Sequence, residues 1–338
     1  MTANPFVSII IPAYNGDRFI GTALDSLFSQ TYTAYEVIVI DDGSIDRTRQ
    51  VLEPYFDRIQ YLYQDNQGVA AARNRGLELA RGEFVVWLDQ DDVCLPDKLA
   101  VQVACFQAHP DVGIVHSGWR LIDDKNQPIR DITPWQNVPI LDAAGWLQWM
   151  PVLFSAMMFR RDWLARVGQL DSQFKQACDV DLVQRLALLG CQTVWVEQIT
   201  VGYRQHDRND SLNTPLQAEE SWSVRRKVFA RSDLPQNIRD LENPVCYSTL
   251  VWIAWRLCYT NRISEMTWYL EQSLNYKYDQ SESIAKTISA WIEAFLGYAK
   301  EYNFHLDVHE LSQSIEWRQL IGKALQRCSI GRNLSETL

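Results

Sequence analysis

The stretch from Gly82 to Asp97 constrains the fold more than any other. Phe84 to Leu88 is an unbroken apolar run of β-branched and aromatic residues, and it halts at Asp89, Asp91 and Asp92. A short run of this make-up reads as a strand buried on both faces. Carboxylates this close repel one another and lose solvation if buried together, so the strand end calls for a cation or solvent to offset them. Oxygen ligands of this kind suit Mg²⁺ or Mn²⁺. The competing reading is a polar loop whose aspartates cap a helix begun by Pro96.

The same design recurs upstream. Val7 to Ile11 is apolar apart from Ser8 and is closed by Pro12-Ala13-Tyr14-Asn15-Gly16. Ile20, Leu24, Leu27 and Phe28 then recur at helical spacing, which predicts a helix over about Arg18 to Gln30. Tyr35 to Ile40 is a second apolar strand, ending at Asp41-Asp42-Gly43-Ser44. A helix capped by Asp46, a short third strand over Ile59 to Tyr63, and a helix from Gly68 to Ala80 carrying Arg73 and Arg75 lead into the strand at Phe84. Strands alternating with helices predict an α/β fold with a mostly parallel sheet and helices on both faces. Ligands of such sheets bind at the carboxyl ends of the strands. Pro12 to Asn15, Asp41 to Ser44 and Asp89 to Asp92 therefore face one crevice. No Gly-x-Gly-x-x-Gly turn follows the first strand and no Gly-Lys-Ser/Thr motif occurs, so a nucleotide here would be held by carboxylates and by a metal on its diphosphate.

Composition narrows the partners. In a chain of 338 residues, 47% of them apolar, there is material for a large core. The formal charge of −10 argues against nucleic acid and against broad adsorption to an anionic membrane. The seven cysteines are odd in number, scattered and without a Cys-x-x-Cys pair, which fits reduced thiols in a cytoplasm better than zinc or a disulfide framework. The N-terminus lacks the pattern of a secretory leader, and no apolar run reaches bilayer length. The expectation is a soluble, cytoplasmic protein.

Four segments together resemble successive blocks of glycosyltransferase family 2, the inverting nucleotide-sugar enzymes of GT-A fold: Val7 to Asn15, Glu36 to Ser44, Gly68 to Gly76 and Gly82 to Pro96. The resemblance implies that Pro12, Ala13, Tyr14, Asn15 and Asp42 hold the base and ribose of the donor. It further implies that Asp91 contacts the donor, that Asp89 and Asp92 bind the metal, and that Arg73 braces these acids. Later segments continue it. Phe154 to Arg160 is similar to a further strand of the family, and Ala177 to Gly190 to the helix that opens with the catalytic acid. Asp179 then matches the general base, with Cys178 standing where glutamate is common, and a plain helix cap is the alternative role for Asp179. His206, in Gly202-Tyr-Arg-Gln-His206, matches the closing motif, whose histidine approaches the metal and diphosphate.

Between these segments, Gly113 to Val115 reads as a short strand, Arg120 to Trp135 as a long polar loop, and Val194 to Val201 as the last strand. The division predicted is a catalytic domain over 1–212 and a helical region over 213–338. In the latter, Val245 to Tyr259 is a largely apolar helical run, and Ile284, Ile288, Trp291, Phe295 and Tyr298 repeat at helical spacing. Such aromatics form a core stripe, with peripheral membrane contact as the alternative. The expected function is transfer of a sugar from a nucleotide donor, UDP-linked in the first instance, to the hydroxyl of a glycan or lipid-linked acceptor, with Mg²⁺ or Mn²⁺ and with Asp179 as base. Two alternatives remain open at this point. One is a sugar-phosphate nucleotidyltransferase, which would want a Gly-rich basic loop after the first strand, and the other is an inactive nucleotide-sugar or glycan-binding module.

Overall fold

The computed structural model describes residues 4–138, 140–277, 283–301 and 304–335, with side chains as far as residue 326. The chain forms two compact units, Met1–Asn209 and Asp210–Leu338.

The first unit is built in the order β1 (Val7–Ala13), α1 (Ile20–Phe28), β2 (Tyr35–Asp42), α2 (Thr48–Leu52), β3 (Gln60–Gln64), α3 (Val69–Leu79), β4 (Phe84–Trp87), β5 (Val93–Cys94) and α4 (Lys98–Ala108). There follow β6 (Ile114–Ile122), β7 (Pro128–Ile132), α5 (Ala143–Trp149), β8 (Met157–Arg160), α6 (Arg161–Val167), α7 (Cys178–Leu188) and β9 (Thr193–Arg204). All the strands described join one sheet in the order β3-β2-β1-β4-β8-β6-β9-β5, with β7 pairing with β6 beyond the end of β8. The α/β fold is the one anticipated. Its β3-β2-β1-β4 half is parallel, as the alternation of strand and helix requires. Beyond β4 the sheet is mixed, because β8 runs antiparallel to both β4 and β6 while β6 and β9 are parallel.

Burial explains the parallel half. Every residue of β1 and β4 is buried, so neither strand needs an alternating pattern. Ile20, Ala23, Leu24 and Leu27 of α1 and Leu99, Val103 and Phe106 of α4 join the same core, where Phe84 and Phe106 stack at 4.4 Å. α3 comes so near to β1 that a Cβ on Gly76 would lie 2.3 Å from Ile10 Cγ2. Only glycine allows that approach.

The segment expected as a polar loop from Arg120 to Trp135 is instead the end of a long strand, a tight turn and an edge strand. Asp123 Oδ1 accepts from the N–H groups of Lys125 and Gln127 at 2.8 and 2.7 Å, and Asn126 takes the left-handed conformation at φ 63°. Arg120 and Asp131 pair across the hairpin through two hydrogen bonds of 2.6 and 2.9 Å. β7 is exposed along most of its length, so its sequence carries no buried face to betray it.

For the site, the decisive pairing is β5 with β9. Val93 opposes Gly202 and Cys94 opposes Val201, which sets the segment after Arg204 beside the turn Asp89–Asp92.

The second unit is helical: α8 (Thr214–Phe229), α9 (Gln236–Arg239), α10 (Glu242–Tyr259), α11 (Ile263–Ser273), α12 (Ile284–Glu301), α13 (Val308–Gln313) and α14 (Ile315–Ser335). The aromatic stripe of α12 faces inward, Trp291 and Phe295 being buried, with Phe295 against Trp255 of α10 and Trp291 against Trp317 of α14. Among the described residues no helix is long and apolar enough to cross a membrane. Six cysteines are free thiols, and the side chain of Cys328 lies outside the described residues.

Candidate active site

The site is assembled from the ends of β1, β2, β4 and β9 and the start of α7, all in the first unit. At the end of β1, Pro12 and Ala13 are buried and register against Ile40 and Asp41 of β2. Tyr14 projects outward with 46% of its surface exposed. Its backbone N–H and C=O are both held by the side-chain amide of Gln90, each at 3.0 Å, which ties the β1 end to the acidic turn. Asn15 stitches the β1 end to the β2 end, accepting from Ile45 N–H at 2.9 Å and donating its own N–H to Ser44 Oγ at 2.9 Å.

Both aspartates at the end of β2 are buried and bonded. Asp41 accepts from Ser44 N–H and from the Tyr61 hydroxyl, at 2.9 and 2.8 Å. Asp42 accepts from Gln64 Nε2, Gln67 N–H and Gly68 N–H, at 2.7, 2.9 and 2.7 Å. Gly68 has φ 89°, a conformation that costs glycine little and aims its N–H at Asp42 as α3 begins. In this state Asp42 pins the turn that launches α3.

The turn Asp89-Gln90-Asp91-Asp92 is closed by a hydrogen bond of 3.1 Å from Asp92 N–H to Asp89 C=O, and it sends its three carboxylates different ways. Asp89 meets Arg73 Nη2 at 2.6 Å, and its side chain stays 32% exposed. Asp91 remains 22% exposed and accepts from His206 Nε2 at 2.9 Å. Asp92 is fully buried, with Oδ1 accepting from Arg204 N–H at 3.1 Å. Ser155 Oγ accepts from Asp89 N–H at 3.2 Å. Burial first, and then the charges of Asp91 and Asp89, hold the Asp92 pKa well above the usual carboxylate range.

Two of the residues expected as metal ligands are engaged with protein groups in this structure. Asp92 was expected as a ligand, but the β5–β9 pairing draws it beneath the turn, and Asp91 takes the outward place. His206 was expected as a ligand too. Arg208 N–H donates to His206 Nδ1 at 3.1 Å, and His206 Nε2 stands 2.9 Å from Asp91 Oδ2, so both ring nitrogens are engaged here. Phe19 packs on the imidazole, with ring centroids 4.9 Å apart, and Arg204 lies over the same phenyl ring at 4.6 Å. Among the described residues no group of three or more His, Cys, Asp or Glu side chains converges closely enough to hold a metal ion by itself. Asp89 and Asp91 still offer exposed carboxylate oxygens. That set fits a small hard divalent ion, which commonly takes one or two carboxylates and completes its shell with water and substrate phosphate.

Arg73 joins this turn to the start of α7. Its guanidinium is buried over the Phe154 ring, bonding Asp89 with Nη2 and Cys178 Sγ with Nη1, the latter at 3.4 Å. Burial opposes its charge, but Asp89, Cys178 and Asp179 more than offset that and raise its pKa. Burial pushes the Cys178 thiol up to about 12, so it stays protonated. Asp179 lies in the first turn of α7 and keeps a partly exposed surface, with Oδ1 accepting from Val180 N–H at 2.7 Å. Desolvation, only partly countered by Arg73, lifts its pKa to about 6. A carboxylate poised there can take a proton from a hydroxyl near neutral pH.

Gln90, Ser155 and Arg204 were missed by the sequence reading. Gln90 lay inside the acidic motif but was passed over as neutral, and Arg204 lay in the Tyr-Arg-x-His segment without an assigned role. Nothing local in the sequence signals Ser155.

Comparison with known proteins follows the same lines. The family model for Glycosyl transferase family 2 matches residues 8–168. An uncharacterized glycosyltransferase of Rickettsia typhi is 31% identical over 249 residues, which span 69% of this chain and 75% of that protein. An uncharacterized glycosyltransferase of a Nostoc species is 28% identical over 333 residues, 91% of this chain and 99% of its own length, an alignment that runs well into the helical unit. Among solved structures, residues 1–349 of S. aureus TarS in complex with UDP-GlcNAc superpose with a TM-score of 0.59 at 19% identity, covering 80% of this chain and 81% of that one. A Pyrobaculum calidifontis mannosyltransferase in complex with GDP-Man and Mn²⁺ gives a TM-score of 0.62 at 20% identity, covering 96% of this chain and 87% of that one. At these identities the two structures share the fold.

Proposed function

The chain belongs to glycosyl transferase family 2, and from that premise we propose that it transfers a sugar from a nucleoside diphosphate donor, a UDP-sugar first, to an acceptor hydroxyl with inversion at the anomeric carbon. The observation that carries the reading is the Arg73 bridge, which ties an exposed carboxylate of the acidic turn to the helix start that holds Asp179. In this reading Tyr14 and the backbone of Pro12, Ala13 and Asn15 receive the base and ribose, together with Asp42 once its turn yields. Asp89 and Asp91 hold Mg²⁺ or Mn²⁺ beside the diphosphate, with His206 orienting Asp91. The ion would neutralise charge on the departing diphosphate.

Asp179 takes the proton of the acceptor hydroxyl as its oxygen attacks the anomeric carbon from the face opposite the diphosphate. The bond from that carbon to the diphosphate oxygen breaks, and the nucleotide leaves with the electron pair. A single displacement leaves no covalent intermediate, so one base suffices. The UDP-GlcNAc of one structural neighbour supports a UDP donor, and the GDP-Man and Mn²⁺ of the other support a purine alternative and a metal. A glycan or lipid-linked acceptor and a cytoplasmic setting, where free thiols persist, go with this reading.

The test is a thermal-shift panel of UDP- and GDP-sugars with and without Mn²⁺. A ligand that binds only the folded state raises stability by about 2.7 kcal/mol at a hundred times its Kd. One donor should stand out and should need the ion. Asp91→Ala should remove the ion-dependent part of the shift, whereas Asp92→Asn should keep it. Equal shifts with and without Mn²⁺ would take the metal out of the mechanism, and no shift from any donor would sink the reading.

A further inference from the structure

Arg73 and Asn74 are consecutive on α3, and consecutive helical side chains point about 100° apart. They reach different parts of one segment. Arg73 meets Cys178 at the start of α7. The Asn74 amide forms a closed reciprocal pair with the backbone of Leu170, its Nδ2 donating to Leu170 C=O and its Oδ1 accepting from Leu170 N–H, both at 2.9 Å. Leu170 is buried. Arg185, on the last turn of α7, closes the segment from the other side, donating to Val167 C=O at 2.8 Å, Gln169 C=O at 2.9 Å and Asp181 Oδ2 at 2.8 Å. The loop from Gly168 to Ala177, between α6 and α7, is therefore tied at its start to α3 and α7, and the helix start that follows it is tied to α3 again.

Asp179 lies on the first turn of α7, directly after this loop, and its Oδ1 accepts from a backbone N–H, that of Val180. Its position is thus set by where the loop delivers the first turn of α7. We propose that Asn74 is a positioning residue for the base: its clasp on Leu170 fixes the loop that presents Asp179, so that one turn of α3 sets the base while its neighbour Arg73 sets the acidic turn. The inference rests on the reading of Asp179 as base, which Asp179→Asn tests separately. That variant should lose transfer while binding donor, and retained transfer there would sink the base whatever Asn74 does.

The experiment is steady-state transfer by the full chain with its best donor, alongside backbone amide exchange at Leu170. A shift of the reacting groups by about 1 Å can cost a hundredfold in rate. Asn74→Ala should lower kcat by about ten- to a hundredfold and leave the donor KM within about twofold, while Leu170 N–H exchanges faster than in the parent. Asn74→Asp, nearly the same shape, is the second variant should the first fold poorly. Its carboxylate still accepts from Leu170 N–H but opposes Leu170 C=O, so kcat should fall in the same way. A kcat within twofold of the parent despite a faster-exchanging Leu170 amide would overturn the proposal. So would a rise in donor KM at constant kcat, which would assign Asn74 to donor binding.

Discussion

Asp179 is the residue where structure and chemistry make opposite demands, and pH separates them. With its folded pKa at about 6 and an unfolded value near 4, the group is protonated in both states at low pH. Between these values the unfolded chain ionises first, so stability falls as pH rises, and above about 6 the loss is complete. Transfer makes the opposite demand, since a base must be ionised, so kcat/KM should rise with pH through about 6 and level off. Asp179→Asn keeps the shape and an oxygen at the helix start but removes both behaviours. Its stability relative to the parent should therefore improve across that pH window while its transfer falls by about two to four orders of magnitude. Denaturation midpoints and rates measured from pH 4 to pH 8 decide the matter. A stability difference that stays flat with pH, together with undiminished transfer, would leave Asp179 as a helix cap and nothing more.

At the scale of elements, α3 bears most of the site's precision, and Gly76 is what lets it do so. Alanine is worth up to about 1 kcal/mol more than glycine inside a helix. Here the added Cβ would fall 2.3 Å from Ile10 Cγ2, deep in the sheet, and overpacking of that kind costs about 1–3 kcal/mol. The clash should win, so Gly76→Ala should destabilise the chain in denaturant titrations and slow transfer by displacing Arg73 and Asn74 with the helix. A gain in stability would show that α3 slides along β1 without cost. The strands β1, β2 and β4 were legible because burial on both faces leaves an unbroken apolar run, and their ends were legible because turn and polar residues follow that run. β7 was not, since an exposed edge strand needs no apolar face and its turn residues resemble any loop. The burial of Asp92 beside a more exposed Asp91 was hidden for another reason. Which carboxylate is drawn under the turn depends on β5 pairing with β9, more than a hundred residues away in sequence.

At the scale of the whole molecule, every residue assigned to the donor, the metal and the base belongs to the unit Met1–Asn209, while the helices of Asp210–Leu338 supply none. The periodicity of α12 was enough to foresee a helix, and burial of Trp291 and Phe295 accounts for its aromatic stripe as core. Such a stripe names no substrate, which is why acceptor choice could not be read from it. If the assignment of the donor site is complete, binding should leave its mark on the first unit alone. Amide exchange on the full chain, with and without the best donor and Mn²⁺, should show added protection at Tyr14 to Gly16, Asp41 to Ser44, Gln64 to Gly68 and Asp89 to Asp92. These are the strand ends that close on the nucleotide, and bound ligand lowers the population of their open forms. Exchange in α10 and α12, whose cores hold Trp255 and Trp291, should not change. Protection that spread into those helices would mean that they take part in holding the donor, and the site drawn from the first unit would then be incomplete.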